Sequence, residues 1–218
     1  MAGLVHTLVN IPFVKRMITH NRLAVRLYFN WKYRREDPYG LRTQDYEIAK
    51  LDKTADIAAP HAPFGYVLEI GCGEGLLTQR LAPMAKRMLA VDISDLAVTR
   101  ARERFADLAN VRVERMDILM DEFKESFDLV AASEVLYYLE RDQLPKAVEK
   151  VKNLVKPGGA LLLAHARAQA DDDSGVEKKS FGAKTIHRLF IADPDFQLLE
   201  DVPEPGYRIT FLRRKSES

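Results

Sequence analysis

The chain is poor in several features that mark particular protein classes. Its 218 residues include a single cysteine, which excludes an internal disulfide, argues against a zinc site and fits a reducing compartment. We therefore expect a cytoplasmic protein without a bound metal. No stretch of 18 uninterrupted apolar residues occurs, so no membrane-spanning helix is expected. The net charge is only +1, whereas dedicated nucleic-acid binders are usually strongly basic, so we expect no nucleic-acid partner.

Acidic residues are absent from residues 1–35, which nevertheless contain seven Lys or Arg. This segment does not have the pattern of a signal peptide, because no basic region precedes its apolar stretch. Leu23, Leu27, Asn30 and Trp31 form only an irregular helical stripe. Three interpretations stay open: a helical lid on the domain that follows, an interfacial segment in peripheral contact with a membrane, or a basic surface for an acidic partner.

The pattern of the chain divides it into a helical cap at residues 1–60 and an α/β domain at 61–218. Thr43 is predicted to cap a helix that runs to about residue 59. Beyond it, apolar runs alternate with helical patterns, which favours parallel strands, helices on both faces and a ligand crevice at the carboxyl ends of the strands. The predicted strands are 65–70, 87–91, 111–116, 127–132, 159–165, 195–202 and 206–213, and the predicted helices are 75–83, 95–106, 142–155 and 180–192.

Three short motifs mark the ends of these elements. Ser94 is predicted to be the N-cap of the helix that follows it. The sequence Lys156-Pro157-Gly158-Gly159 is predicted to stop a helix and form a turn. The sequence from Asp171 to Gly175 indicates a solvated loop.

The most informative motif is Val-Leu-Glu-Ile-Gly-Cys-Gly-Glu-Gly at residues 67–75, followed by Asp92 at the end of the next apolar run. Glycines at this position let a buried strand turn sharply into a helix while its backbone touches a ligand, and the acid can accept ribose hydroxyls. Leu76 stands where the dinucleotide fingerprint requires a third glycine. Glu69 and Glu74 disfavour a pyrophosphate at the helix start and suit a nucleoside cofactor that carries an ammonium or sulfonium group.

With these residues, the chain resembles the class I S-adenosylmethionine-dependent methyltransferases, in order through Asp92, Asp117, Ser133-Glu134 and Lys156–Gly159. The segments Ser133–Leu139 and Gly206–Arg208 are similar to the nodulation-type N-methyltransferases, whose relatives methylate amines on sugars and other small molecules. The resemblance implies a Rossmann-like α/β fold with a seven-stranded, mostly parallel sheet, an antiparallel C-terminal strand and an N-terminal helical cap. It also implies S-adenosyl-L-methionine as cofactor and a small-molecule acceptor.

The positions at strand ends, together with the resemblance, give the candidate site residues. Asp92 would bind the ribose, Asp117 and the backbone of Ile118 the adenine, and Glu69 the amino end of the cofactor. Catalytic roles fall to Glu134 as orienting group or base, Tyr137 as a wall of the methyl channel, and His165 as base or substrate ligand. Tyr138, Arg167, Tyr207, Tyr39, Arg42 and Tyr46 are weaker candidates. The full set of expected cofactor-binding residues is Glu69, Gly71, Cys72, Gly73, Gly75, Asp92, Ile93, Asp117, Ile118 and Ser133.

Several alternatives remain from the sequence alone. The acceptor atom could be oxygen instead of nitrogen, or the acceptor could be RNA, although Ser133-Glu134 replaces the Asn-Pro-Pro-Tyr type of signature found in many base methyltransferases. A nicotinamide oxidoreductase and a non-catalytic cofactor-binding module are further alternatives from other classes. The sequence is compatible with a monomer or a homodimer.

Overall fold

The structure of the chain is a computed structural model that describes residues 20–170 and 180–216. The predicted loop from Asp171 to Gly175 and the basic segment before residue 20 lie outside the described residues. Within the described residues, no helix combines the length and the apolar character that crossing a membrane requires.

One seven-stranded sheet organises the domain, in the order β3-β2-β1-β4-β5-β7-β6. Strands β1 to β5 are parallel, whereas β7 is antiparallel to both of its neighbours. The predicted Rossmann-like fold is therefore confirmed. The strands are β1 (Phe64–Ile70), β2 (Ala85–Asp92), β3 (Val111–Arg115), β4 (Phe127–Ser133), β5 (Val155–Ala166), β6 (Phe196–Pro203) and β7 (Tyr207–Arg214), and the helices are α1 (Arg22–Lys32), α2 (Asp45–Ala58), α3 (Leu76–Leu81), α4 (Asp95–Arg104), α5 (Leu144–Leu154) and α6 (Ala183–Ile191).

Helices cover both faces of this sheet because side chains of successive strand residues point to opposite faces. On β1, Leu68 and Ile70 belong to the core layer that includes residues of α5 and α6. Val67 faces the other way and joins the layer that includes residues of α2 and α3. The strand order reverses between β1 and β4, and a ligand crevice is expected at the carboxyl ends of the strands flanking such a point.

Two predicted boundaries are corrected by the structure. Thr43 does not cap α2, because its hydroxyl donates to Asp37 and the helix begins two residues later, after Gln44. The sequence Lys156–Gly159 does not form a separate turn, because α5 ends at Leu154 and these residues already belong to β5. The extra residues are absorbed by a register shift against β4, with Gly158 at a φ of +77°.

Helix α1 presents a different face to the domain from the one its apolar residues suggest. Leu23, Leu27 and Trp31 are exposed, each at about 60%. Val25 is instead the buried apolar residue of the helix, and Arg22 and Arg26 make the contacts to the sheet domain. Polar contacts therefore position α1 more than an apolar stripe does.

Candidate active site

A cavity of ≈ 390 Å³ opens at the carboxyl ends of the strands around the point where the strand order reverses. Its walls are formed by the glycine loop after β1, the residues that follow β2 and β3, the segment 133–139, and residues of α1 and α2. The fold therefore brings the cofactor motif, the segment after β4 and the N-terminal cap together at one site.

The glycine loop forms the floor of this cavity. The N–H groups of Gly71 and Cys72 both donate to the carbonyl of Val91, which ties the loop to β2. Gly73 has a φ of +54°, and a Cβ there would lie 2.7 Å from the hydroxyl of Tyr33, so only glycine leaves room for both. Gly75 also has positive φ but does not line the cavity, since a Cβ at that position would meet the ring of Phe105.

Cys72 lines the cavity between the glycines as a buried, free cysteine. Burial raises the pKa of its thiol well above the ordinary value, with the negative charges of Asp92 and Glu69 acting in the same direction. The thiol therefore stays protonated and acts as a small packing group instead of a nucleophile.

Asp92 lies at the end of β2, as predicted, and is buried. Its Oδ2 accepts the N–H of Gly73 at 2.9 Å and its Oδ1 accepts the N–H of Ser94 at 2.8 Å. Burial raises the pKa of Asp92 to about 6, and the backbone hydrogen bonds oppose that shift. The carboxylate is thus held rigidly at the cavity with unused lone pairs.

Glu69 is also buried, on β1 directly before the loop. The hydroxyl of Thr78 donates to its Oε2 at 2.5 Å. Burial raises the pKa of Glu69 to about 8, and the nearby Asp92 adds to the rise. An acid in this state becomes ionised readily when a cation approaches.

Glu74 does not face the cavity, which corrects the expectation that it contributes to cofactor choice. Its carboxylate pairs with Arg100 and lies 3.7 Å from Arg42. The Nε of Arg104 donates to the carbonyl of Glu74 at 2.9 Å. Glu74 therefore braces the glycine loop against α4, and Arg42 belongs to this brace and not to the cavity wall.

Asp117 lies after β3 and lines the cavity beside Ile118. Arg22 of α1 holds its carboxylate with two hydrogen bonds, and the N–H of Leu119 donates a third at 2.9 Å. Arg22 is a residue of the site that the sequence patterns did not reveal. An arginine in a stretch without acids gave no sign of a partner that lies far along the chain.

Ser133 is the last residue of β4 and Glu134 follows it, and both line the cavity. Glu134 has a φ of +53°, which is uncommon for a residue with a side chain. The hydroxyl of Tyr137 donates to its Oε2. Its Oε1 is buried and lies 3.1 Å from Lys50 Nζ but accepts no directed hydrogen bond from the protein.

Lys50 of α2 is a second site residue that the sequence patterns missed. It is only 4% exposed, and its Nζ lies 2.7 Å from Glu47 Oε2. Burial alone would lower the pKa of Lys50, but the carboxylates of Glu134 and Glu47 outweigh burial and raise it. A lysine next to Leu51 on the apolar face of a helix was the available sequence signal.

His165 does not reach the cavity, although it lies near the end of β5. Its ring is fully buried, its Nε2 accepts the N–H of Leu136 at 3.3 Å, and its Nδ1 lies 3.2 Å from His187 Nε2. Burial lowers the pKa of His165 to about 4. The expected contact with substrate is therefore corrected, because both ring nitrogens are used inside the protein.

The weaker candidates divide into residues that line the cavity and residues that do not. Tyr39, Tyr46 and Tyr138 line the cavity, whereas Arg167 and Tyr207 do not. The ring of Tyr207 packs against Tyr46, and Arg167 donates to the carbonyl of Glu204. Ile93, another predicted residue, does line the cavity.

A family model described as Nodulation protein S (NodS) matches residues 25–194. The chain belongs to the NodS family. Nodulation protein S of Rhizobium tropici is 30% identical over 133 residues, which are 61% of this chain and 56% of that protein. The protein of Sinorhizobium fredii (strain NBRC 101917 / NGR234) is 29% identical over 132 residues, 60% of this chain and 61% of its own length. The chain therefore covers less than two thirds of these two relatives.

Solved structures agree with membership of the NodS family. The N-methyltransferase NodS from Bradyrhizobium japonicum WM9, in complex with S-adenosyl-L-homocysteine, superimposes with a TM-score of 0.77 at 25% identity, covering 87% of this chain and 97% of that chain. A complex of DhpI with the same product shares the fold, with a TM-score of 0.72 at 18% identity, over 91% of this chain and 99% of that one. Membership of the NodS family and the shared fold of these complexes favour S-adenosylmethionine-dependent methyl transfer, and the nicotinamide alternative is set aside.

Proposed function

We propose that this methyltransferase transfers its methyl group to a nitrogen atom of a small-molecule amine. The observation that carries the proposal is the end of the cavity at Glu134, where a carboxylate lies beside the aromatic rings of Tyr137 and Tyr138. Carboxylates and aromatic faces both attract an ammonium group. The printed description of the similar Bradyrhizobium japonicum enzyme as an N-methyltransferase supports the same acceptor atom.

The part of the cavity around the glycine loop fits S-adenosylmethionine. Two oxygens of Asp92 each accept one backbone N–H, and a carboxylate has about four acceptor sites, so two remain for the ribose hydroxyls. We assign Glu69 to the ammonium of the methionine part, and Asp117 with Ile118 to the adenine. The bound cofactor supplies an electrophilic methyl group on sulfonium. The remaining contacts are assigned to the backbone of Gly71, Cys72 and Gly73 and to the side chains of Ile93 and Ser133.

The residues of the chain supply orientation and removal of one proton. An amine attacks only when it is neutral, so a group near the acceptor must accept the proton of its ammonium form. Oε1 of Glu134 pairs with Lys50 Nζ at 3.1 Å, while Tyr137 holds Oε2. Glu134 is therefore the candidate base or orienting group, and His165 is not.

The size of the cavity favours a small acceptor over RNA. A volume of ≈ 390 Å³ lies near the lower end of the range for ligand pockets, about 300 to 1,000 Å³, and the cofactor must share it. Helix α1 contributes Arg22, Val25 and Phe29 to the wall. We infer from this that the helix acts as a lid that excludes water during transfer. A cytoplasmic location and a monomer or homodimer remain predictions from the sequence.

The experiment that tests the proposal uses cofactor labelled in its methyl group. Purified enzyme is incubated with labelled S-adenosylmethionine and a panel of amino sugars, other amines, matched alcohols and RNA, and the products are located by mass spectrometry. Label on nitrogen of a small molecule is expected; label on oxygen or in RNA alone would contradict the proposal. Glu134→Gln should lower turnover about 10²-fold while affinity for S-adenosyl-L-homocysteine is retained, and exposed Glu103→Gln serves as the matched control.

A further inference from the structure

Two buried histidines beneath the active site form a chain of hydrogen bonds that ends on the surface. His165 of β5, His187 of α6 and Thr210 of β7 are all fully buried. Nδ1 of His165 lies 3.2 Å from His187 Nε2, and Nδ1 of His187 lies 2.6 Å from Thr210 Oγ1. The Thr210 hydroxyl is 3.3 Å from Oδ1 of Asp201. Four elements are thus connected by one polar path through the core.

The direction of this chain follows from its two ends. The N–H of Leu136 can only donate, so Nε2 of His165 must be the acceptor and its proton must sit on Nδ1. The Nε2 of His187 then has to accept, which puts the proton of His187 on Nδ1, facing Thr210. Thr210 receives that bond and can donate its own hydrogen to Asp201.

The surface end of the hydrogen-bond chain is consistent with these donor and acceptor assignments. The carboxylate of Asp201 accepts two hydrogen bonds from Arg208, at 2.6 and 2.7 Å, and the arginine keeps the pKa of Asp201 below its ordinary value. Asp201 is therefore a permanent acceptor. Every ring nitrogen in this chain of hydrogen bonds is therefore either a donor or an acceptor. A proton added to either histidine would make two donors face each other.

The other end of this chain of hydrogen bonds lies at the turn that carries the catalytic candidates. The N–H of Glu134 donates to the carbonyl of Ala164, and two residues later the N–H of Leu136 donates to His165. These two hydrogen bonds to neighbouring residues of β5 hold the backbone on both sides of Val135. A residue with positive φ such as Glu134 keeps that conformation only where its surroundings fix it.

We propose that His165, His187 and Thr210 are positioning residues: they fix His165 as the hydrogen-bond acceptor of the Leu136 amide and thereby hold Glu134 and Tyr137 at the acceptor end of the cavity. The tautomers and the amide contact do not depend on the proposed acceptor chemistry. The effect on turnover does rest on the proposed function, so the two can be tested separately.

Nitrogen-15 NMR of the imidazole rings tests the assignment on the free wild-type protein at pH 7, with the spectrum of His165→Gln used to identify the signals. Both His165 and His187 should carry their proton on Nδ1, which is the less populated tautomer of free histidine. A proton on Nε2 of either ring would overturn the proposal, whatever the enzyme methylates.

Thr210 provides the functional test because it does not line the cavity. Thr210→Val leaves the Nδ1 proton of His187 without an acceptor. Moving that proton to Nε2 would set it against the Nδ1 proton of His165, so either tautomer weakens the path that ends at Leu136. Thr210→Ser keeps the hydroxyl. Hydrogen exchange of the Leu136 amide should become at least about tenfold faster in the valine variant alone, with the Leu163 amide as reference for an intact sheet. The turnover number for the amine found in the labelling panel should fall by about the same factor without a change in affinity for S-adenosyl-L-homocysteine.

The outcomes are distinct. Equal exchange and equal turnover in the valine and serine variants would overturn the proposal. Slower turnover with an unchanged Leu136 amide would also overturn it, because the effect would not pass through the turn. If the valine variant does not fold, the tautomers of the wild type still decide the matter.

Discussion

Arg22 and Asp117 are joined by two hydrogen bonds, 2.6 Å from Nε to Oδ2 and 3.0 Å from Nη2 to Oδ1, although 95 positions separate them in the sequence. The bonds connect the first turn of α1 with the residue assigned to the adenine. Arg26 and Asn30, further along α1, hold Asp95 at the start of α4. The proposed lid and the proposed cofactor pocket therefore share a carboxylate. Asp117 accepts three of about four possible hydrogen bonds, which leaves one for an adenine amino group.

Arg22→Ala should loosen this lid at its cofactor end. Two charge-assisted hydrogen bonds are lost and a buried carboxylate loses its cation, so we expect S-adenosyl-L-homocysteine to dissociate about tenfold faster or more. Stopped-flow fluorescence of Trp31 or the tyrosines would measure the rate. Arg34→Ala, at an exposed arginine just after α1, is the matched control and should dissociate at the wild-type rate. Equal rates in the two variants would show that Arg22 does not hold the lid.

Cofactor binding should release protons near neutral pH. The pKa of Glu69 is about 8 and that of Asp92 about 6 in the free protein, both raised by burial. The positive charges of S-adenosylmethionine favour the ionised carboxylates, so affinity should rise with pH between about 6 and 8 as fewer protons have to leave. Calorimetry in buffers of different ionisation enthalpy counts the protons.

Glu69→Gln separates the two groups. This variant cannot ionise at residue 69, so its proton release at pH 7 should drop to the contribution of Asp92. Proton uptake on binding by the wild type, or the same release from the variant, would contradict the role assigned to Glu69.

His165 should make the folded protein sensitive to acid. Burial lowers its pKa to about 4, against 6.5 for the ordinary group. Between these values the unfolded state binds a proton that the folded state does not, so the free energy of unfolding falls as the pH falls. At pH 5 the loss from this one group is about 2 kcal/mol. Charges near the two rings act within the same window: Glu134 and Lys50 on His165, and Arg208 on His187.

Urea unfolding at pH 7 and pH 5 measures this term. The difference between the two pH values should shrink in His165→Gln, which has no group to protonate. His20→Gln, at a surface histidine that contacts Asp142, should keep the wild-type difference. The same pH dependence in all three proteins would show that His165 is not the cause.

The sequence predicted the fold and one half of the site for the same physical reason. Alternating apolar runs, the glycine loop and Asp92 are local signals, because each depends on residues that are close in the chain. Residues that meet only after folding gave weaker signals. Arg22 pairs with Asp117 and Lys50 pairs with Glu134. The separation of the two residues in the sequence follows no fixed spacing that a motif could reveal.

His165 shows the opposite difficulty. Its position near the end of β5 correctly placed it close to the crevice, but the sequence could not show on which face of the sheet its ring would lie. The ring packs towards α6, where it contacts His187. A polar side chain at a strand end is therefore a site residue only if the strand register turns it towards the ligand.

Lys50 gives the last prediction, because its ammonium controls the charge around Glu134. It lies between Glu134 Oε1 and Glu47 Oε2, at 3.1 and 2.7 Å, in a buried position. Lys50→Met would leave two carboxylates close together without a cation, and their mutual repulsion should displace the Glu134 side chain. We therefore expect kcat/KM at pH 7 for the amine found in the labelling panel to fall about tenfold.

Lys50→Arg keeps the positive charge and should keep kcat/KM closer to the wild-type value than Lys50→Met does. Affinity for S-adenosyl-L-homocysteine should stay the same in both variants, because Lys50 lies at the acceptor end of the cavity. Equal kcat/KM in Lys50→Met and wild type would mean that the ion pair with Lys50 does not hold Glu134 in place for the acceptor.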